Sequence, residues 1–246
     1  MTKFCRSMTT FCLVVGVLFL VSTSRAQTRP SIVEKLAKTY GLDSYGQLDA
    51  VRYTFNLELP ALKVSLSRTW TWEPKTGQVT YEAKDKDGKP VKVTYNRSQL
   101  NSAPDNVKNE IEPGFVNDNY WFIFPFHVYW DTSAVVTVKE KQKLPLGQGT
   151  ATLVSVKYPA EVGGYTPGDT WDLFVGPDGR VKQFTYHRGG PKKPSLLSTT
   201  WAGYKQAGPL LVSTDHRGVA DGKSARIFFS GVAYKVAGSD TWVDAK

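Results

Sequence analysis

The chain has 246 residues, of which 41% are hydrophobic and 22% charged. This balance excludes an intrinsically disordered chain, and the 21 Gly and 14 Pro lack the period of a collagen. The formal net charge is +9, but basic residues are spread along the chain with acidic residues between them, which favours a solvated surface over a clustered nucleic-acid-binding face. We therefore expect a folded protein that binds no nucleic acid.

The first 26 residues are typical of a secretory signal peptide. Lys3 and Arg6 precede an apolar run over 11–21, and the small residues Ser24 and Ala26 follow at positions that suit signal peptidase. The apolar run is too short to span a bilayer, which needs about 20 residues. We predict cleavage after Ala26, export to the periplasm, and a mature protein of residues 27–246.

Both cysteines, Cys5 and Cys12, lie inside the predicted signal peptide. The mature chain would then have no thiol, which excludes cysteine catalysis, disulfides and Cys-ligated metals. A secreted protein without disulfides depends on its own core, and this fits a bacterial periplasm. No cysteine follows the apolar run to accept a lipid, so we expect a soluble mature protein.

An amphipathic helix is predicted near the mature N-terminus. Ser31 and Glu34 have the spacing of a capping box, and Gly41 ends the pattern. Its apolar face is formed by Ile32, Val33, Leu36, Ala37 and Tyr40. This face must pack against another element, and the following segment predicts a sheet.

Two long strands follow as a hairpin. Residues 51–59 alternate apolar and polar without interruption, and the alternation resumes over 62–72 after Pro60. Shorter strands are predicted over 79–83 and 91–95, each after a turn. Sequential antiparallel pairing is the simplest topology for these four strands.

The middle of the chain is helical and rich in aromatic residues. We predict a short helix over 103–112 that Pro113-Gly114 ends, a second helix near 115–123, and then an extended segment to Asp131. The reason for the extended segment is Pro125, which forbids one continuous helix. The aromatic cluster can fill the core, face a ligand as part of a lid, or do both.

Strand patterns return after this region and continue to the end of the chain. They cover 135–139, 150–158, 170–175, 181–187, 199–204, 210–216 and 225–236. We therefore expect a mainly β protein with a single large curved antiparallel sheet of about eleven strands and a helical lid. The concave face of such a sheet must be filled by side chains, helices or a ligand.

The order of elements and several local segments resemble one known family. The segments are Val51–Phe55, Arg68–Trp72, Phe124-Pro125-Phe126, Trp171–Val175 and Gly179-Arg180-Val181. With the signal peptide and the N-terminal helix, they resemble the periplasmic lipoprotein-carrier superfamily, which has the LolA/LolB-like fold. None of these segments is a catalytic signature.

The resemblance implies a half-barrel over 27–246, closed by helical lids, whose apolar interior accepts acyl chains. The partners would be a lipophilic ligand or a lipoprotein, with transient contact to a membrane surface or to a membrane-bound donor or acceptor. A lid could move as a unit on Pro113-Gly114 and on the break at Pro125. We expect the cavity to be lined by Tyr53, Phe55, Leu57, Val64, Leu66, Arg68, Trp70, Trp121, Phe122 and Phe124.

Arg68 is the candidate for a residue that locks the lid, because it falls in the inward register between Leu66 and Trp70. The alternative is an arginine near a strand end that reaches solvent or pairs with a carboxylate. The sequence does not choose between the two.

No motif predicts catalysis, a metal or a cofactor. His127, His187 and His216 lack zinc-ligand spacing, and no Gly-x-Ser-x-Gly segment occurs. Asp169 and Asp178 lie in turn contexts. We expect a binding protein and no enzyme.

Two other functions remain open at this point. The first is a secreted hydrolase or carbohydrate-active protein that uses surface tryptophans such as Trp201 and Trp242 beside carboxylates. It predicts a polar cleft with two carboxyl groups about 5 to 10 Å apart. The second is an interaction module with a filled core, which predicts no continuous cavity.

Overall fold

The computed structural model describes residues 29–161, 167–190 and 193–246. The predicted signal peptide, its cleavage site and both cysteines lie outside these residues. The strands are β1 (Leu48–Leu59), β2 (Val64–Glu73), β3 (Gln78–Lys84), β4 (Pro90–Asn96), β5 (Val135–Lys143), β6 (Thr150–Lys157), β7 (Thr170–Val175), β8 (Val181–His187), β9 (Leu196–Thr200), β10 (Lys205–Ala207), β11 (Leu210–Val212), β12 (Asp215–Ala220), β13 (Lys223–Val236) and β14 (Val243–Asp244).

Over the described ranges, two α-helices and several tighter turns accompany the strands. The α-helices are α1 (Ser31–Thr39) and α2 (Glu112–Trp130). Short 3₁₀ helices cover Leu42–Gln47, Pro60–Leu62 and Arg97–Ser102, and a π-helical turn covers Val107–Ile111. Among the described residues no helix is both long enough and apolar enough to span a bilayer.

One open antiparallel sheet contains most of the strands. Its order is β4-β3-β2-β1-β13-β12-β9-β8-β7-β6-β5, with β14 added beside β13, and β10 and β11 form a separate ribbon. β4 and β5 are therefore the two edges. The predicted fold class is confirmed: the protein is mainly β, with a large open antiparallel sheet and a few helices.

The register of β1 and β2 confirms the predicted hairpin and the face that it shares. The opposed pairs are Tyr53 with Trp70, Phe55 with Arg68, Leu57 with Leu66 and Leu59 with Val64. Directly opposed side chains point to the same face of an antiparallel sheet. Arg68 therefore lies on the inner face, as its position between Leu66 and Trp70 predicts.

The helix α2 lies against this inner face and requires the sheet to curve. Phe122 stacks on Tyr53 of β1 with ring centroids 4.1 Å apart, and Phe124 stacks on Trp171 of β7 at 4.4 Å. Between β1 and β7 the sheet order contains β13, β12, β9 and β8, which would span about 24 Å in a flat sheet. Because a helix with its side chains is only about 10–12 Å wide, the strands must bend around it.

Two predictions about the helical region are wrong. Pro113-Gly114 does not end a helix, because Pro113 lies in the first turn of α2, where its missing N–H costs no hydrogen bond. Residues 124–130 are not extended, because α2 continues to Trp130. Pro125 instead kinks the helix at Ile123, whose φ of −130° and ψ of 31° are not helical.

Two later strands also differ from their predicted limits. The strand expected over 199–204 is β9, which begins at Leu196 and ends at Thr200. The strand expected over 210–216 is divided between β11 and β12. Residues 213–214 separate the two strands, and Asp215 at the beginning of β12 forms an isolated antiparallel bridge with Ala202.

Candidate functional site

A cavity of about 790 Å³ opens between the inner face of the sheet and α2. Its walls come from neighbouring strands on the helix side of the sheet and from the helix itself. The apolar wall residues are Phe55, Leu57 and Leu59 of β1, Trp121 of α2, Tyr186 of β8, Leu197 of β9 and Ile227 of β13. The helix thus covers only part of the concave face, and the cavity lies against the rest.

The mouth of the cavity lies at one end of the sheet. The end of β1 pairs with the beginning of β13, the end of β12 with the beginnings of β13 and β9, and the end of β8 with the beginning of β9. The connections β1–β2, β8–β9 and β12–β13 therefore lie at the same end of the sheet. Leu62 lines the mouth on the first connection, and its side chain is 57% exposed. The other two connections contribute the charged residues Arg188, Lys193, Asp221 and Lys223. The cavity therefore has an apolar interior and a charged rim.

Three of the ten predicted lining residues reach this cavity, and these are Phe55, Leu57 and Trp121. Four others are buried in the aromatic core, and these are Tyr53, Trp70, Phe122 and Phe124. Leu66 is half-buried, Val64 is 41% exposed, and Arg68 is partly buried beneath α2. Ligand binding by all ten residues stays a prediction.

The helix divides its aromatic residues between core and cavity. Phe122 contacts Phe229 at 5.0 Å as well as Tyr53, and Phe124 contacts Phe184 at 5.7 Å as well as Trp171. Asn117 and Trp121 are the residues of α2 that line the cavity. The aromatic cluster therefore serves mainly as core, and Trp121 contributes to both.

A buried carboxylate fixes α2 to the inner face of β2. The Asp118 side chain has no solvent exposure. Arg68 Nε donates to Asp118 Oδ2 at 2.9 Å and Arg68 Nη2 donates to Oδ1 at 2.6 Å, while Trp70 Nε1 donates to Oδ2 at 2.7 Å. Burial raises the pKa of Asp118 above that of a free aspartate, and the Arg68 charge and the Trp70 hydrogen bond oppose this shift. Arg68 therefore pairs with a carboxylate, and this carboxylate belongs to α2. A role of Arg68 in locking a lid stays a prediction.

A second carboxylate holds the beginning of the same helix. Glu112 is 1% exposed, its Oε2 accepts a 2.5 Å hydrogen bond from Tyr95, and its Oε1 accepts a 2.9 Å hydrogen bond from Arg97 Nε. Gly114 lies beside Arg68, and a Cβ at this position would be 3.1 Å from Arg68 Nη1. Gly114 therefore makes room for the guanidinium, and the beginning of α2 is held by two ion pairs where the sequence predicts a hinge.

The tryptophans proposed for carbohydrate binding do not form a surface platform. Trp201 is only 3% exposed, and its indole stacks on His216 with ring centroids 4.0 Å apart. Trp242 is half-buried between Arg52 and Lys235, at 4.8 and 5.2 Å from its ring centroid. Asp221 is the carboxylate among the residues that line the cavity. These positions do not favour the carbohydrate-active alternative.

The histidines lie on three different elements. His127 of α2 is within 3.0 Å of Asn119 Oδ1, His187 of β8 is within 2.9 Å of Asp172 Oδ2, and His216 of β12 is buried. Within 29–161, 167–190 and 193–246 no three potential metal ligands come together.

Sequence reasoning missed most of the cavity walls. Tyr186, Leu197 and Ile227 come from strands far along the chain from β1 and line the cavity beside Leu57. Alternation in the last long strand, where Ala225, Ile227 and Phe229 are buried, could have identified its inner face. Nothing in the sequence indicated that β13 pairs with β1, which brings this face beside that of Leu57.

Solved structures with a similar course of the chain are known, although no protein-family model and no curated protein sequence matches it. A DUF1329 family protein from Desulfovibrio piger is 8% identical, with a TM-score of 0.43 over 85% of this chain and 92% of that one. A domain described as an outer membrane lipoprotein-sorting protein from Vibrio parahaemolyticus is 11% identical, with a TM-score of 0.46 over 85% and 93%. A LolA superfamily protein from Nitrosomonas europaea is 7% identical, with a TM-score of 0.42 over 82% and 91%.

Removal of the buried carboxylate should strongly destabilise the fold. We expect Asp118→Ala to lower the free energy of unfolding by about 3–5 kcal/mol, because Arg68 and the Trp70 indole lose their partner in a buried site. Urea unfolding measures the change. As a control, Asp49→Ala breaks the exposed Lys75–Asp49 pair and should cost little. Equal losses in the two variants would show that Asp118 does not anchor α2.

Acid should destabilise the protein through His216. Burial lowers the pKa of His216 to about 3, whereas an unfolded histidine binds a proton near pH 6.5. The neutral imidazole thus stabilises the fold fully above about pH 6.5, and this stability is lost as the pH falls towards 3. Between about pH 7 and pH 5 the free energy of unfolding should drop by about 2 kcal/mol through this residue.

Two measurements check this expectation. In urea unfolding, His216→Gln should reduce the drop in the free energy of unfolding between about pH 7 and pH 5. The control His187→Gln changes a half-exposed histidine and should leave this drop unchanged. By NMR, the His216 ring should not titrate over the same range in the folded protein. A His216 ring that titrates near pH 6.5 in the native state contradicts the prediction.

Proposed function

We propose that this protein is a periplasmic carrier that holds the apolar part of a lipophilic ligand, such as an acyl chain or the lipid of a lipoprotein. The observation that carries the proposal is the cavity of about 790 Å³ with apolar walls and an open mouth. Ligand pockets usually measure about 300–1,000 Å³ and combine apolar walls with a few polar groups. We propose no reaction.

The apolar walls would supply the binding free energy. Transfer of a hydrocarbon chain from water contributes about 0.8 kcal/mol for each buried CH₂. Leu57, Leu197 and Ile227 come from three strands that converge on the cavity, so a chain could contact several walls at once. Even a partly inserted acyl chain would then be held by several kcal/mol.

The ligand would enter through the mouth between the three connections. The beginning of α2 is tied to the sheet by the Arg68–Asp118 and Arg97–Glu112 pairs, which opposes a swinging movement of the whole helix. The mouth needs no such movement, because it is already open at the end of the sheet. This route replaces the hinged lid expected from Pro113-Gly114.

Exposed apolar residues beside the mouth support transient contact with a membrane surface or a membrane-bound donor or acceptor. Leu62 is 57% exposed and Val64 41% exposed, with Lys63 between them. An exposed apolar tip next to a lysine suits the boundary between lipid headgroups and acyl chains. A lipid could then pass between the membrane and the cavity without crossing bulk water.

Ligand binding is tested by native mass spectrometry of protein isolated from bacterial periplasm and by titration with a fluorescent fatty-acid probe after organic extraction. We expect co-purified lipid before extraction and saturable probe binding after it. Leu57→Trp should fill the cavity and reduce probe affinity at least about tenfold, since it removes the space for the chain. Glu58→Trp places the same side chain on the opposite face of β1 and should bind as the wild type does.

The proposal fails if the protein never carries lipid and does not bind the probe. It also fails if Leu57→Trp and Glu58→Trp bind the probe as tightly as the wild type while both remain folded. Circular dichroism verifies the fold of each variant.

Export is tested separately. Expressed with residues 1–26 in a bacterial host, the protein should appear in the periplasmic fraction with Gln27 as its first residue, because signal peptidase would cut after Ala26. N-terminal sequencing measures the cleavage site. Retention of an intact N-terminus in the cytoplasm contradicts the predicted signal peptide.

A further inference from the structure

We infer that the ligand is an anionic amphiphile whose head group is bound at the mouth by Arg188, Lys193 and Lys223. The inference rests on the proposed carrier function and adds the charge of the ligand to it. An apolar cavity alone would accept any lipophilic molecule, whereas a charged rim selects among such molecules by the charge of their head groups.

The three cationic residues come from two different connections and converge on one opening. Arg188 follows β8, Lys193 precedes β9, and Lys223 begins β13. All three line the same cavity as Leu57 and Trp121, and all three are exposed to solvent. A head group at the mouth would therefore meet positive charge on two sides while its tail lies between apolar walls.

These cations form no close ion pair with a described carboxylate, although Arg188 also interacts with the Tyr186 side chain and both Arg188 and Lys193 attract Asp221. None of the ion pairs found among the described residues includes Arg188, Lys193 or Lys223. By contrast, Arg217 and Arg226 on the neighbouring strands both pair with Asp215, at 2.7 and 2.8 Å. The basic residues of the mouth thus differ from nearby arginines that already have a carboxylate partner.

The acidic residue at the mouth offsets only part of this charge. Asp221 accepts hydrogen bonds from Ser195 Oγ at 2.8 Å and from the Leu196 backbone N–H at 2.7 Å. These two hydrogen bonds link Ser195 and the beginning of β9 to the turn between β12 and β13. Among the described residues that line the cavity, one carboxylate stands against three cations, and their sum is positive.

The chemistry of the three residues suits a carboxylate or a phosphate. A guanidinium presents a planar set of donors that matches either group, and lysine ammonium groups add point charges. Positive charge at an open mouth also attracts anions from solution and repels cationic amphiphiles. Because the three side chains are exposed, salt should screen this preference.

The decisive experiment compares ligands that differ only in head-group charge. The extracted protein is titrated with 11-(dansylamino)undecanoic acid and with the methyl ester of the same probe. We expect the acid to bind about tenfold more tightly at low ionic strength, and the difference to shrink at high salt. Competition by decanoate and by decyl phosphate then shows whether a carboxylate or a phosphate head group binds better, and displacement by either supports the inference.

Variants of the charged residues show whether the mouth causes the preference for the acid probe over its ester. Replacing Arg188, Lys193 and Lys223 together with Gln should weaken the acid to the level of the ester and leave the ester unchanged. Asp221→Asn should strengthen acid binding, and asparagine tolerates the positive φ of 48° at this position. The matched control replaces the exposed residues Lys139, Lys143 and Lys205, which do not line the cavity, and should keep the preference for the acid.

The outcomes separate this inference from the carrier function. If the wild type binds acid and ester equally, the anionic site is wrong and the carrier function stands. If the preference for the acid survives in the triple Gln variant, the head group does not bind at this mouth and the inference is overturned. If neither probe binds and no lipid co-purifies, the carrier function itself is wrong.

Discussion

A sheet that curves around one helix has more inner surface than the helix can cover. The strands from β1 to β7 bend until Tyr53 and Trp171 both contact aromatic residues of α2. The helix fills the space against one part of this surface, and the remainder forms the cavity beside Leu57 and Leu197. The cavity therefore follows from the geometry of the sheet, and the binding function that we propose depends on it.

The position of α2 is determined by charge as much as by packing. Asp118 and Glu112 are buried, and each is paired with an arginine from the β2 or β4 side of the sheet. Buried ion pairs contribute little net stability, because desolvation offsets their attraction, but breaking one leaves a costly unpaired charge. Any position of α2 that separates a buried carboxylate from its arginine is therefore disfavoured, because it leaves a buried charge unpaired. In the observed position, Trp121 and Asn117 face the cavity while Phe122 and Phe124 face the core.

The parts of this fold that depend on local sequence patterns were predictable. The alternation over 51–59 and 62–72 predicted the hairpin and placed Arg68 on the inner face, because side chains alternate along a strand whatever its partners. The count of about eleven strands and the single large curved sheet also followed from local patterns and turns, whereas its half-barrel form was implied by the family resemblance.

The parts that depend on distant contacts were not predictable in this way. Pro125 suggested an end to the helix, but packing of Phe126 and Val128 in the core favours a kinked helix over an extended chain. Trp201 was predicted to lie at the surface, because the sequence around it does not indicate that His216 stacks on its ring. The cavity combines β1 with β8, β9 and β13, and only the pairing of β1 with β13 brings these strands together.

Within the part of the chain that the structure describes, no strand pairs with the outer sides of β4 and β5. Such edges can recruit a strand from another molecule, which is a common origin of aggregation. β5 carries Lys139, Lys141 and Lys143, and its pairing with β6 is interrupted between Lys139 and Gln142. β4 begins with Pro90, which has no N–H to offer, and carries Lys92. The same chain can thus keep an open sheet, which the proposed ligand binding requires, while its edge strands disfavour self-association.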